Sequence, residues 1–77
     1  MAKATRVTNE IRTLRFTHGE MTQAELADRI GVTRQTVIAI EQGRYSPSLE
    51  MAFRIARVFG VPLNDVFQYT EDEGEAR

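Results

Sequence analysis

TQAELADRIGVTRQTVIAIE, residues 22–41, decides how this chain folds. Thr22 stands where a hydroxyl can accept from the amides of a first helical turn. Glu25, three residues on, can reach back to the Thr22 N–H, which completes a capping box. Met21 and Leu26 flank that cap at the spacing of a hydrophobic staple. Thr33 repeats the arrangement for a second helix, with Val32 and Val37 as its staple pair. The spacing therefore predicts one helix over residues 23–30, burying Leu26, Ala27 and Ile30, and another over residues 34–42. Between them Gly31 can take a positive φ without a Cβ penalty. Two helices joined only by such a turn cross steeply and share one small core, and Ala27 is small enough to let its neighbour pass close.

Working outward, Val7, Ile11, Leu14 and His18 follow helical spacing and predict a first helix over residues 9–18, stopped by Gly19. Phe16 lies off that apolar stripe, and a β-compatible patch precedes it at residues 5–7. Downstream, Gly43 is a C-cap candidate, residues 44–47 read as a loop, and Ser48 can cap a helix over residues 49–59. That helix is apolar nearly all round. Leu49, Ala52, Phe53 and Ala56 make one face, Met51, Ile55, Val58 and Phe59 extend it, and Glu50, Arg54 and Arg57 form a polar stripe. In so small a protein it is either the central core helix or also part of a subunit interface. Gly60 ends it, and Pro62 suits the start of a short fifth helix with Leu63, Val66 and Phe67 on one face. Residues 66–69 could instead finish as a strand. The acidic stretch over residues 70–77 reads as a disordered tail, and residues 1–8 as an arm or short strand.

Seventy-seven residues fit one small domain. The absence of cysteine excludes a disulfide staple, a thiol redox centre and a Cys-ligated metal, and suits the cytosol. No apolar run is long enough to span a bilayer and residues 1–20 lack a signal-peptide core, so a cytoplasmic protein is expected. The formal net charge is −1, but residues 71–77 hold four acids against Arg77, which leaves the remainder net positive by two. That bias is too weak to identify a partner. His18 is the only histidine and has no cysteine or carboxylate pair near it in sequence, so neither an enzyme nor a metal or cofactor site is expected. It reads as a helix C-terminal residue favoured by the helix dipole.

On a wheel at roughly 100° per residue, Val37 and Ile40 fall on one side of the helix over residues 34–42. Arg34, Gln35, Ile38, Ala39 and Gln42 occupy the opposite arc. Arginine can donate twice to a guanine edge, glutamine can pair with adenine, and isoleucine can meet a thymine methyl. The same residues also suit an ordinary solvated helix face, and the wheel does not choose between the two.

Gln23, Ala27, Gly31, Val37 and Ile40, followed by IEQGRYSPSL (residues 40–49) and IARVFGVPL (residues 55–63), resemble the helix-turn-helix of the phage-repressor, Cro/C1-type (XRE) regulators. The similarity covers roughly residues 9–67. It implies an all-α fold, a five-helix DNA-binding domain with the third helix in the major groove, to which short terminal strands could be added. Carried over by position, Arg34, Gln35, Ile38 and Ala39 would face base edges, and Gln23, Thr33, Arg44 and Tyr45 would hold phosphates. Arg15 and Glu41 would form a structural ion pair with no part in DNA contact. HGEMTQ (residues 18–23) departs from the family by one residue more than the common short turn. Small members similar to cytolysin-operon repressors carry terminal strands and form dimers. The resemblance thus implies a repressor that binds a pseudo-palindromic operator as a homodimer, through helix four and the helix-five or C-terminal segment. A protein-interaction module, an antitoxin or a restriction-modification control protein could use the same fold.

Overall fold

Both threonine caps form in the computed structural model, which describes residues 5–44 and 46–69. The Thr22 hydroxyl accepts from Glu25 N–H at 3.0 Å, and Glu25 Oε1 accepts from Thr22 N–H at 2.8 Å, so the capping box is complete. Thr33 Oγ1 accepts from Thr36 N–H at 3.2 Å. Thr36 stands where a glutamate would be, so the second helix has the cap without the return bond. In chain order the elements are β1 (Val7–Asn9), α1 (Ile11–Thr17), α2 (Gln23–Ile30), α3 (Arg34–Glu41), α4 (Leu49–Phe59), α5 (Leu63–Val66) and β2 (Phe67–Tyr69). The five helices and the terminal strands are those the resemblance implies.

The chain's two ends meet in an antiparallel pair, with Val7 opposite Tyr69, Thr8 opposite Gln68 and Asn9 opposite Phe67. A lone two-stranded ribbon is marginal in water. This one is anchored because Glu10 N–H donates to Val66 O at 2.8 Å, next to the fully buried Val66 and Ile11. The pairing also corrects the expected start of α1. Asn9 belongs to β1, and its carboxamide oxygen accepts from Ile11 N–H at 3.1 Å, so the helix begins two residues later. The strands lie at residues 7–9 and 67–69 rather than 5–7 and 66–69. At the other end of the motif α3 stops at Glu41, with Gln42 as its C-cap and Gly43 at φ 74°.

α2 packs on α3 and α4, and α4 on α5. Their shared core holds Ile11, Leu26, Ile30, Val37, Ile40, Ile55, Phe59 and Val66, all buried. The inner face of α4 is Ala52, Ile55, Ala56 and Phe59. Leu49 and Phe53, expected on that face, are 67% and 49% exposed instead. The stripe of Glu50, Arg54 and Arg57 marks one side of α4 as outward, but the apolar residues around the rest leave its rotation open; here the alanines face inward and let α4 approach α2 closely. His18 caps α1, and its ring links α1 to α4: Nδ1 lies 2.8 Å from Leu14 O, and Nε2 lies 3.0 Å from Phe59 O.

Between α1 and α2 the chain passes through two successive residues of positive φ, Gly19 at 81° and Glu20 at 55°. Met21 N–H then returns to Arg15 O at 2.9 Å. Glycine tolerates that conformation, but glutamate is strained in it. Relief of about 1–2 kcal/mol of left-handed strain outweighs roughly 0.5–1 kcal/mol of added chain entropy, so Glu20→Gly is expected to raise stability by about 0.5–1 kcal/mol, read as an upward shift of the urea midpoint at unchanged slope. A fall in the midpoint would show that the Glu20 side chain stabilises the turn.

Candidate nucleic-acid interface

The site is built on the outward side of α3. Val37 and Ile40 are buried under α2, which turns Arg34, Gln35 and Gln42 to solvent and leaves Ile38 and Ala39 half-exposed. Neither the Arg34 side chain nor that of Arg12 in α1 has a hydrogen-bond or ion-pair partner among the described residues. Arg34 thus presents its guanidinium fork to solvent with its donors unspent.

An open groove of about 650 Å³ runs beside this face, between the outer turn of α1, the start of α2 and the two ends of α3. Arg12, Phe16, Gln23, Arg34 and Gln42 line it, and Glu41 is the one acid among the described residues of its lining. Glu41 is already neutralised. Arg15 Nε donates to Glu41 Oε2 at 2.7 Å and Arg15 Nη2 to Glu41 Oε1 at 3.2 Å, a two-pronged ion pair with both side chains largely out of water. Arg15 Nη1 also donates to Met21 O at 2.9 Å, which ties the end of α1 to the cap of α2.

Gln23 completes the cluster. Its Nε2 donates to Glu41 Oε1 at 3.2 Å, so the ion pair fixes the Gln23 carboxamide at the mouth of the groove. Nothing in the spacing of Gln23 and Glu41 signals that bond, because it depends on how α2 crosses α3. Asn9 Nδ2 donates to Ile40 O at 3.0 Å and fastens the end of β1 to the end of α3.

The groove therefore gathers Gln23 and Arg34 from the residues singled out in the sequence, together with Gln42. Gln35, Ile38 and Ala39 lie on α3 outside it. The Thr33 hydroxyl is engaged as the α3 cap and in a 3.1 Å contact with Thr36 Oγ1. Arg44 is exposed in the following loop, its N–H bonded to Ala39 O. Tyr45, the tail over residues 70–77 and residues 1–4 of the arm lie outside the described residues. Sequence reasoning missed Arg12 and Phe16. Their placement is set by how α1 docks on α2, and only the position of Phe16 off the apolar stripe hinted at it.

Residues 11–66 match the helix-turn-helix family. The chain belongs to that family, in its Cro/C1 (XRE) form. This helix-turn-helix protein is 51% identical over 65 residues to an uncharacterised HTH-type transcriptional regulator of Methanocaldococcus jannaschii, covering 84% of this chain and 97% of that one. A relative of the same description from Methanothermobacter thermautotrophicus is 60% identical over 53 residues, covering 68% of this chain and 77% of that one. The cryptic phage CTXphi transcriptional repressor RstR of Vibrio cholerae is 36% identical over 63 residues; the match spans 82% of this chain and 56% of that repressor. The fold is also that of a solved Bacteroides fragilis structure, with a TM-score of 0.70 at 21% identity over 80% of this chain and 98% of that one.

Proposed function

We propose that this helix-turn-helix protein is a small prokaryotic transcriptional regulator, acting in the cytoplasm as a repressor. It binds double-stranded DNA sequence-specifically by laying α3 in the major groove. The observation that carries the reading is the outward face of α3, where an unpartnered Arg34 stands with Gln35 and the half-exposed Ile38 and Ala39. These groups match the donor, acceptor and methyl pattern of base edges. Gln23, Thr33 and Arg44 flank that face as phosphate contacts, and they fix register without reading sequence. Tyr45 is assigned the same role from the family pattern.

The protein acts as a homodimer. Leu49, Phe53 and Tyr69 are large, apolar or aromatic, and exposed. Two shallow apolar depressions share Val7, Leu63 and Phe67, and Tyr69 lines one of them and Leu49 the other. A monomer rarely leaves such a patch open. This patch shares no lining residue with the groove beside α3, so a second copy can cover it while both reading faces stay free. Two α3 helices would then enter successive major grooves about 34 Å apart on a pseudo-palindrome.

Binding to duplex DNA across a salt series tests the function. The logarithm of affinity is expected to fall steeply and linearly with the logarithm of salt concentration, as counterions are released from several phosphates. Affinity indifferent to salt would remove the phosphate contacts and the DNA reading with them. For the dimer, Phe53→Glu is expected to convert the sedimenting species to monomer. A wild-type monomer at micromolar concentration would contradict the palindrome.

A further inference from the structure

Phe16 is 59% exposed on α1, on the same face as Arg12 four residues before it, and both line the groove shared with Gln23, Arg34 and Gln42. An aromatic ring open to water between cations and amides does not suit a second copy of the chain. Burying an apolar partner there would strip water from Arg12, Arg34 and two glutamines without pairing them. The surface suited to self-association lies elsewhere, around Leu49, Leu63 and Phe67, and shares no lining residue with this groove.

We infer that the outer face of α1 is a second DNA-backbone contact: Arg12 binds a phosphate flanking the segment read by α3, and Phe16 lies against the adjoining deoxyribose. The inference rests on the DNA-binding reading above. Three observations carry it. Glu41, the one acid among the described lining residues, is saturated by Arg15 and Gln23, so these residues present Arg12 and Arg34 as uncompensated cations. The groove is continuous with α3, since Arg34 and Gln42 form part of its wall. Residues at i and i+4 on a helix are neighbours, about 5–6 Å apart at Cβ. That pairing of a cation with an apolar ring matches the alternation of phosphate and sugar along one strand.

The test uses the full chain and the duplex that the wild type selects from a random pool, with affinity measured across a salt series. Arg12→Ala is expected to bind severalfold more weakly, with the same preferred sequence and a salt slope shallower by about 0.9. Arg12→Lys should restore the slope. Phe16→Ala is expected to lose affinity with an unchanged slope, because its contact releases no counterion. Both side chains are exposed, so the variants should melt with the wild type. Wild-type affinity and slope in Arg12→Ala and Phe16→Ala would overturn this inference while leaving the reading by α3 intact. A Phe16→Ala that altered sedimentation rather than DNA affinity would also overturn it, by making Phe16 a subunit contact. A wild type that selects no duplex would overturn this inference together with the DNA-binding reading.

Discussion

Glu41→Ala is expected to lower the stability of the fold by about 3 kcal/mol. The Glu41 carboxylate receives three side-chain hydrogen bonds, two from Arg15 and one from Gln23. Side-chain exposure of the Arg15–Glu41 pair is only 14% and 10%. Deleting the carboxylate leaves a guanidinium mostly out of water, with the Met21 carbonyl as its one remaining partner. The cost arises from that stranded charge more than from the loss of a favourable pair. Replacing both groups with apolar ones of similar size should therefore be far milder, and Arg15→Met combined with Glu41→Leu is expected to recover most of the loss. Whole-domain stabilities are roughly 5–15 kcal/mol, so Glu41→Ala should move a urea midpoint substantially. A loss below about 1 kcal/mol would place the pair among weak surface bridges instead. The double variant should also bind DNA less well than its stability suggests, because Gln23 would no longer be held by Glu41.

Arg34→Ala is expected to weaken binding to the preferred duplex by about 1–3 kcal/mol and to relax base preference at one position of each half-site. Arg34 opens α3 behind the Thr33 cap, is exposed, and its side chain spends no hydrogen bond within the described residues. Its removal costs the fold little, so the loss should appear in DNA binding and not in melting. Arg44→Ala makes the contrast. Removing a cation that holds a phosphate should weaken binding to all sequences alike and lower the salt slope by about 1. An Arg34→Ala protein with lower affinity but unchanged base preference would make Arg34 another backbone-binding residue.

Much of the motif was legible because its signals are local. Thr22, Glu25, Thr33 and Ser48 each specify a cap through atoms within three residues, and the limits of α2 and α4 follow from them. The exposed arc of α3 was equally readable from the burial of Val37 and Ile40 at helical spacing. The misses are all non-local. Asn9 looked helical by its neighbours, yet it pairs with Phe67 near the other end of the chain, and no period in the sequence carries that register. Phe53 and Leu49 belong to a helix apolar outside one polar stripe, and its rotation is set by which residues are small enough to meet α2. The groove that joins Arg12 and Phe16 to Gln23 exists only after α1 docks. The Arg15–Glu41 pair, 26 residues apart, was accessible through family resemblance alone.

Selection from a random duplex pool decides whether α3 reads base sequence. Wild type and Arg34→Ala would be carried through equal rounds at moderate salt and the survivors sequenced. Wild type is expected to enrich a pseudo-palindrome with half-sites about one helical turn apart, and one position per half-site should lose its preference in Arg34→Ala. A wild-type pool with no enriched motif, or the same motif equally sharp in both pools, would contradict base reading by α3.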